Sequence, residues 1–282
     1  MVRRPFATVL VYLGVALFLV TTLAPILWLG VMSVSLPADL TDKPLSLIPK
    51  HIDLSHYARL FTFNANSLGE AFLMALRNSL LSSVGATVIA LAVSVPAGWA
   101  FSRYRDGRVA TVLYVILATY MTPAVALILP LYFLLSALGL LNNVLGLVIV
   151  YCSMLTPFTA WFIKAAFDAV PRELESAAAI DGASVFQTLR RVTLPYARAG
   201  VATAALFAIL LAWDDFFYAL LFTSNQNAKT LTVTIADFAA GRATDFGLVS
   251  AAGLLTALPP VLIAFVLQKS LVAGLTTGSV KG

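Results

Sequence analysis

Two neighbouring carboxylates offer the most distinctive chemistry in this sequence. Asp214 and Asp215 interrupt the apolar run 199–223, which holds no other charged residue. The side chains around them are aromatic: Trp213, Phe216, Phe217 and Tyr218. Charged groups in an apolar helix are costly and usually face a water-filled path. Aromatic rings stack on the C–H faces of sugars while carboxylates accept hydrogen bonds from hydroxyls. We expect at least one of the two to line a solute path; the alternative is an aromatic belt with two interface carboxylates.

Other reactive side chains are sparse and give no catalytic arrangement. His51 and His56 are five residues apart and do not share a helix face, so the sequence predicts no metal site. Cys152 is the only cysteine, which excludes an intramolecular disulfide. A phosphate-binding loop needs Gly-Lys followed by Ser or Thr, and none of the lysines follows a glycine. We therefore expect no enzyme activity and no cofactor in this chain.

Composition places these residues in a membrane protein. The chain has 282 residues, of which 60% are hydrophobic and 11% charged, and the mean hydropathy is +0.93. Soluble domains are usually about 45–50% apolar and about 25% charged. The composition excludes an ordinary soluble enzyme, a disordered chain and a nucleic-acid-binding domain. The pI near 9.4 fits basic residues gathered in cytoplasmic loops.

The apolar runs predict six transmembrane helices. A spanning helix needs about 20 apolar residues, and spans of this length indicate helices rather than barrel strands of about 10 residues. The interval 109–163 carries no charge, and as one helix it would measure about 80 Å. It must therefore fold back, and the Gly-Leu-Leu-Asn-Asn sequence at 139–143 suits the turn. The predicted fold class is an all-α integral membrane protein with spans at 7–34, 72–101, 110–137, 145–166, 199–223 and 247–269.

Basic residues predict the orientation of these spans. With the N-terminus inside, 12 Lys and Arg residues fall on the cytoplasmic side and 6 outside, so we expect both termini to be cytoplasmic. Segment 167–198 then lies inside, and segments 36–70 and 224–246 lie outside. The first apolar run is about twice as long as the 7–15 residues of a signal peptide, so we expect it to be uncleaved.

The inner segment predicts a short helix that ends at a tight turn. Pro171 suits the first helical position, where a missing N–H costs nothing. Glu173 and Glu175 follow in the first turn, where the helix dipole favours negative charge. Asp181 and Gly182 are a turn pair that ends the helix.

A second short helix is expected from about Ser184. Arg190 and Arg191 suit its C-terminus, and Pro195 marks a break before the fifth span. The first helix and its turn carry small residues that leave a smooth surface: Ala177, Ala178, Gly182 and Ala183. Such a surface lets the backbone of another protein approach closely, so the segment is either a docking knob or a tightly folded loop without a partner.

The inner segment resembles the signature of membrane subunits of bacterial ABC importers. That signature has Glu-Ala-Ala, three residues, Gly, nine residues, an aliphatic residue, any residue, Leu and Pro. The spacing is met by Gly182, Val192, Leu194 and Pro195. Ser176 occupies the place of the glutamate, with Glu175 one residue early.

Further matches cover nearly the whole chain in order. They resemble the carbohydrate branch and the maltose-type second membrane subunit. The matching stretches are 47–57, Asn78-Ser79-Leu80, the segment 213–218 followed by Lys229-Thr230-Leu231, and the C-terminus 271–282.

The resemblance implies the permease fold of a type I ABC importer for a sugar or sugar-like solute, in the bacterial cytoplasmic membrane. The expected partners are a second permease subunit, two cytoplasmic ATPase subunits that bind ATP and Mg²⁺, and an extracytoplasmic solute-binding protein. The loop 171–195 would be the coupling helix, and the tail 275–282 would also reach toward the ATPase subunits. The residues implied in coupling are Glu175, Ser176, Ala177, Ala178, Asp181, Gly182 and Ala183.

The expected organisation has three parts. Residues 1–71 form a first helix and an outer segment, residues 72–271 form the five-helix core with the loop 167–198, and residues 272–282 form the tail. The alternative to an ATP-driven importer is an ion-coupled secondary transporter without an ATPase. Such proteins usually show internal repeats and ionisable residues at the midplane of several helices, whereas here the Asp214–Asp215 pair is the single candidate.

Overall fold

The computed structural model describes residues 5–41, 48–49, 51–65, 67–104, 106–240 and 244–277. Within these ranges the regular secondary structure is helical, apart from one isolated bridge between Ser35 and Ile52, as the all-α prediction requires. The helices are α1 Pro5–Ser33, α2 Pro37–Thr41, α3 Ser55–Leu60, α4 Leu68–Arg103, α5 Gly107–Ala118, α6 Ala124–Ala137, α7 Val144–Asp168, α8 Arg172–Ile180, α9 Val185–Thr188, α10 Leu194–Tyr196, α11 Arg198–Trp213, α12 Phe217–Phe222, α13 Leu231–Ala239 and α14 Phe246–Thr277. The last five residues of the predicted tail, 278–282, lie outside the described residues.

Four single helices in the described residues are long and apolar enough to cross a membrane: Thr8–Ser33, Leu68–Arg103, Val144–Asp168 and Phe246–Gln268. Two bent pairs bring the number to six if each pair counts as one crossing: Gly107–Met121 with Ala124–Ala137, and Val185–Tyr196 with Arg198–Trp213. Six crossings were predicted, and the structure provides four to six.

The predicted third span, 110–137, is sharply bent. Helix α5 continues through the 3₁₀ turn Thr119–Met121, and α6 then leaves at an angle of 97°. Thr122 between them is extended, with φ −75° and ψ 124°. Pro123 explains this conformation, because the proline ring disfavours a helical backbone in the residue before it. Proline is a usual cause of a sharp kink, but it does not fix the size of the angle.

The predicted fifth span, 199–223, is broken inside the apolar run. Helix α11 ends at Trp213, and α12 starts only at Phe217. One Asp215 side-chain oxygen accepts a hydrogen bond from the backbone N–H of Ala219 at 3.1 Å. An aspartate that bonds a nearby backbone group competes with continuous helix, which accounts for the break.

The fold-back between α6 and α7 occurs where the sequence predicted it. Gly139 and Asn142 have positive φ values of 66° and 54°. The Asn143 side chain then accepts a hydrogen bond from Leu145 N–H at 2.9 Å and caps α7. Glycine and asparagine are the residues that tolerate this left-handed conformation.

The chain divides into two compact units. One comprises residues 1–73 and 234–258, and the other comprises 74–233 and 259–282. In the first unit, the Tyr57 hydroxyl donates to Ser33 Oγ at 2.8 Å, and Arg59 pairs with Asp245 at 2.7 Å. Buried His56 lies beside the same carboxylate, with Nδ1 3.5 Å from Oδ1.

Helix α7 forms the centre of the second unit. Its largest fully buried side chains include Tyr151, Leu155, Ile163 and Phe167. Two glycines let neighbouring helices approach it closely. A Cβ on Gly98 of α4 would lie 2.9 Å from Ile163, and a Cβ on Gly200 of α11 would lie 2.4 Å from Ala166. Small residues at crossings are the usual means of helix packing in membranes.

Candidate functional site

The inner segment folds as a helical hairpin. Pro171 is extended and precedes α8, so the helix begins at Arg172, one residue later than predicted. The helix ends at Ile180, as the Asp-Gly pair indicated, and Gly182 has φ +81°. Ala183 N–H reaches back to the Ala178 carbonyl at 2.9 Å, which is the hydrogen bond that closes a glycine-terminated helix.

The second half of the hairpin is longer than predicted. Ser184 caps α9 with a reciprocal capping box, in which Gln187 N–H donates to Ser184 Oγ and Ser184 N–H donates to Gln187 Oε1. The helix does not end at Arg190 and Arg191 but continues through a wider π-helical turn, Leu189–Thr193, into α10. That wider turn precedes Pro195, whose ring would clash with the carbonyl four residues earlier in a regular α-helix.

Glu175 points into the chain rather than toward solvent. Its carboxylate accepts from Arg103 twice, from Nε at 2.7 Å and from Nη2 at 2.9 Å. The Thr193 hydroxyl donates to the same group at 2.5 Å, and the Trp99 indole N–H donates at 3.3 Å. The Glu175 and Arg103 side chains are only 13% and 10% exposed. Burial alone would raise the pKa of Glu175, but the bonds from Arg103, Thr193 and Trp99 and the Arg103 charge hold it below its usual value.

The remaining predicted coupling residues lie mostly on the outside of the hairpin. Ser176, Ala177, Asp181 and Gly182 are exposed, whereas Ala178 and Ala183 are half-buried. The Ser176 hydroxyl donates to the Arg172 carbonyl at 3.1 Å. Serine in the place of the motif glutamate therefore bonds within its own helix.

Three exposed apolar residues of the hairpin were missed by the sequence reasoning. Ile180 is 87% exposed, Phe186 67% and Val185 63%. They flank the Gly182 turn and, with Ala177, form what we call the docking face. The sequence does contain a signal for them, because Phe186 is a large apolar residue in a segment expected to lie outside the bilayer, and exposed apolar residues there mark contact sites for other proteins.

The two carboxylates of the apolar run have different surroundings. Buried Tyr151 donates from its hydroxyl to an Asp215 side-chain oxygen at 2.9 Å, and Ala219 N–H donates to the same oxygen. The Thr232 hydroxyl donates to the Asp215 carbonyl at 2.8 Å. Asp215 thus joins α7, α12 and α13. Asp214 is exposed, and its carboxylate makes no hydrogen bond within the described residues.

The aromatic neighbours of the pair are divided as well. Trp213 and Tyr218 are buried, Phe217 is half-buried, and Phe216 is exposed. Tyr218 stacks on Phe222 at a centroid distance of 5.9 Å. The structure therefore places most of these rings in packing around the helix break and leaves Asp214 at its surface.

Asn78 and Ser79 hold the segment that follows α12. The Asn78 amide donates to the carbonyls of Gln226 and Lys229, both at 3.0 Å. Leu231 N–H donates to Ser79 Oγ at 2.9 Å. Their place in the motif matches is thus explained by a structural role.

No group of three or more His, Cys, Asp or Glu residues in the described ranges could hold a metal ion. His56 serves the first unit instead, where it faces Asp245 and the Ser35 carbonyl. Burial would raise the pKa of Asp245, but the bonds from Leu248 N–H and Arg59, together with the nearby His56 and Arg59, lower it.

Comparison with known proteins gives consistent matches along the chain. The family model described as binding-protein-dependent transport system inner membrane component matches residues 90–277. The sulfoquinovosyl glycerol transport system permease protein of Agrobacterium fabrum is 32% identical over 271 residues, covering 96% of this chain and 93% of that protein. The trehalose transport system permease protein of Mycobacterium tuberculosis is 32% identical over 262 residues, covering 92% and 93%.

A solved structure matches the fold. It is the crystal structure of a bacterial ABC transporter involved in the import of the acidic polysaccharide alginate. The TM-score is 0.81 at 23% sequence identity, with 95% of this chain and 98% of that chain covered.

Proposed function

The chain belongs to the family of binding-protein-dependent transport system inner membrane components, and from this premise we propose that it forms half of the translocation path of an ATP-driven importer for a sugar or sugar-like solute. It is a multi-pass membrane protein and a permease subunit, so ATP hydrolysis belongs to a partner. ATP and Mg²⁺ bind to the ATPase subunits, and a solute-binding protein delivers the solute. The ion-coupled alternative has no support from these relatives.

The docking face is the observation that carries this proposal. The hairpin of α8 and α9 presents large apolar side chains at Ile180, Val185 and Phe186 beside small residues. The space around the Gly182 turn is open, since a Cβ there would meet nothing within 4 Å. An exposed apolar patch with a smooth surround fits a protein partner, and the partner that an importer permease needs at this segment is an ATPase subunit.

The solute path is proposed to include Asp214. Its carboxylate is exposed at a break in an apolar helix, where a charged group needs water or a polar ligand. The neighbouring Asp215 accepts a hydrogen bond from the Tyr151 hydroxyl, which fixes the backbone at the break. Around the break pack Trp213, Phe217 and Tyr218. The sugar class is supported by the two curated relatives, one named for sulfoquinovosyl glycerol and the other for trehalose.

The orientation and organisation stay as the sequence predicts them. Both termini are cytoplasmic, the loop 167–198 faces the ATPase subunits, and the outer segments 36–70 and 224–246 face the solute-binding protein. The tail 275–282 reaches toward the ATPase subunits. The three parts 1–71, 72–271 and 272–282 carry these separate roles.

The test is gentle purification of the chain from its native membrane, followed by identification of co-purifying chains and of the bound small molecule. We expect an ATPase subunit, a second permease and a sugar-like compound. Uptake of that compound should stop when ATP is removed and should continue in the presence of an uncoupler. Uptake that needs the ion gradient but not ATP would overturn the proposal in favour of an ion-coupled transporter.

A further inference from the structure

Glu175 links three different parts of the second unit through the hydrogen bonds that its carboxylate accepts. It lies on α8, while Arg103 and Trp99 lie on the last turn of α4, and Thr193 lies on the π-helical turn that leads toward α11. We call Glu175, Arg103, Trp99 and Thr193 the brace. Each of its members is at least partly buried, and Thr193 is fully buried.

The brace extends to α7 through the end of α4. Ser102 donates to Asp168 Oδ1 at 2.6 Å, and Arg103 Nη1 donates to Ser102 Oγ at 2.9 Å. Arg172, the first residue of α8, donates to the Ser102 carbonyl at 3.2 Å. The hairpin is therefore hydrogen-bonded to the end of α4, and the end of α4 is in turn hydrogen-bonded to the end of α7.

We propose that Glu175 is a positioning residue that transmits movement of the hairpin to α4 and α11, and that it does so through Arg103 and Thr193 rather than through contact with the ATPase subunit. This inference rests on the proposed function. It changes the expected role of Glu175, because a carboxylate that is 13% exposed and already accepts four hydrogen bonds has little capacity left for a partner.

The geometry of the pair suits the transmission of force. Arg103 binds the carboxylate through two nitrogens, and such bidentate, charge-assisted bonds fix orientation as well as distance. The contact between α8 and α4 has to be stiff to transmit movement, since a loose contact would let α8 move while α4 stayed in place. The docking face lies apart from these bonds, so docking and transmission use different side chains of one hairpin.

The experiment uses the assembled complex with its ATPase subunits in proteoliposomes. Cys152→Ala removes the only native cysteine, and Asp214→Cys reports access to the path by its rate of reaction with a membrane-impermeant maleimide. The measured quantity is the change in that rate when ATP, Mg²⁺ and vanadate are added. We expect Glu175→Gln to reduce this change about fivefold, the size of effect seen for mutations along coupling networks.

A second variant separates transmission from stability. Glu175→Gln leaves Arg103 buried without its partner and so risks misfolding. The double variant Arg103→Met with Glu175→Met replaces the pair by packed apolar side chains, which is often neutral for folding. Glu173→Gln, two residues away and exposed, is the matched control and should keep the full change.

The outcomes are distinct. The inference stands if the double variant assembles and hydrolyses ATP but loses the ATP-dependent change in labelling. A double variant with the full change would reduce the brace to a packing role, and failure to bind the ATPase subunits would reassign Glu175 to docking; either result overturns the inference. If the chain with an intact brace shows no change with ATP, the proposed function itself fails and the inference fails with it.

Discussion

At the residue scale, the adjacent carboxylates Asp214 and Asp215 are expected to respond differently to the same substitution. Asp214→Asn removes an exposed charge and should raise the KM for uptake, on the order of tenfold for one lost charged hydrogen bond, with normal amounts of protein. Asp215→Asn weakens the hydrogen bond from Tyr151 and should lower the free energy of unfolding by about 1–3 kcal/mol. Uptake kinetics and thermal unfolding in detergent separate the two. Equal effects of both substitutions on KM would contradict this division.

Glu175 gives a pH-dependent prediction. Its pKa is lowered in the folded protein, because the hydrogen bonds from Arg103, Thr193 and Trp99 and the Arg103 charge outweigh the effect of burial. A group with a lowered pKa stabilises the fold above its unfolded pKa, about 4.3 for glutamate, and loses that contribution as the pH falls through the folded value. Glu175→Gln should therefore reduce stability by about 2 kcal/mol at pH 7, and the difference should shrink below about pH 4. Thermal unfolding over this pH range measures it, with Glu173→Gln as the control.

The local conformation of a residue could be predicted from the sequence more readily than its contacts with distant residues. Gly182 could be predicted because a turn after a helix demands a left-handed residue, and that requirement is local. The difference between Asp214 and Asp215 could not, because it depends on Tyr151, which lies 64 residues away in the chain. The inward position of Glu175 depends in the same way on Arg103, 72 residues away.

At the element scale, substitutions of Gly182 at the tip of the hairpin distinguish two effects: strain in the backbone and steric obstruction of a docking partner. Gly182 has φ +81° and open space around it. Gly182→Ala should cost about 1–2 kcal/mol in backbone strain and reduce coupling moderately. Gly182→Asn tolerates the left-handed backbone but adds a side chain at the tip, and Gly182→Asp adds a charge as well.

We expect the asparagine and aspartate variants to insert normally while hydrolysis of ATP is uncoupled from uptake. Both rates are measured in the same proteoliposomes. Full uptake by Gly182→Asp would remove the docking role from this turn.

Helix packing around α7 gives a paired prediction. Gly98 and Gly253 are both helical, but a Cβ on Gly98 would lie 3.0 Å from the Lys164 backbone nitrogen, whereas a Cβ on Gly253 meets nothing within 4 Å. Alanine in a helix is favoured over glycine by about 0.5–1 kcal/mol. Gly253→Ala should therefore be neutral or stabilising, and Gly98→Ala should destabilise by about 1–3 kcal/mol because α4 must move away from α7. Thermal unfolding in detergent should show lower stability for Gly98→Ala and unchanged or higher stability for Gly253→Ala. A Gly98→Ala variant as stable as Gly253→Ala would be evidence against close packing at Gly98.

The positions of the helices could largely be predicted from charge-free intervals, turn residues and prolines. Two features could not. The 97° bend after Met121 follows from Pro123, but a proline announces a kink without fixing its angle. The end of α11 at Trp213 depends on the hydrogen bond that the Ala219 N–H donates to the Asp215 carboxylate, and apolar periodicity does not show this bond.

At the scale of the whole molecule, orientation is the property that the distribution of basic residues predicts. In a Cys152→Ala background, Asp181→Cys should be protected from a membrane-impermeant maleimide in intact spheroplasts, and Asn227→Cys should react. Both native side chains are exposed, so burial does not explain a difference. After permeabilisation both should react. Rapid labelling of Asp181→Cys in intact spheroplasts would place the hairpin on the wrong side.

The sharp bend between α5 and α6 affects how the backbone can satisfy its hydrogen bonds within a bilayer. Around Thr122 the chain leaves helical geometry within an apolar stretch. Thr122 N–H still donates to the Thr119 carbonyl at 3.1 Å, but Pro123 has no N–H, so a carbonyl of the preceding turn loses the donor that a continuous helix would give it. Acyl chains offer such groups nothing to bond with. The backbone at this bend therefore needs contact with water or with another polypeptide, and a single copy surrounded by lipid would not provide it.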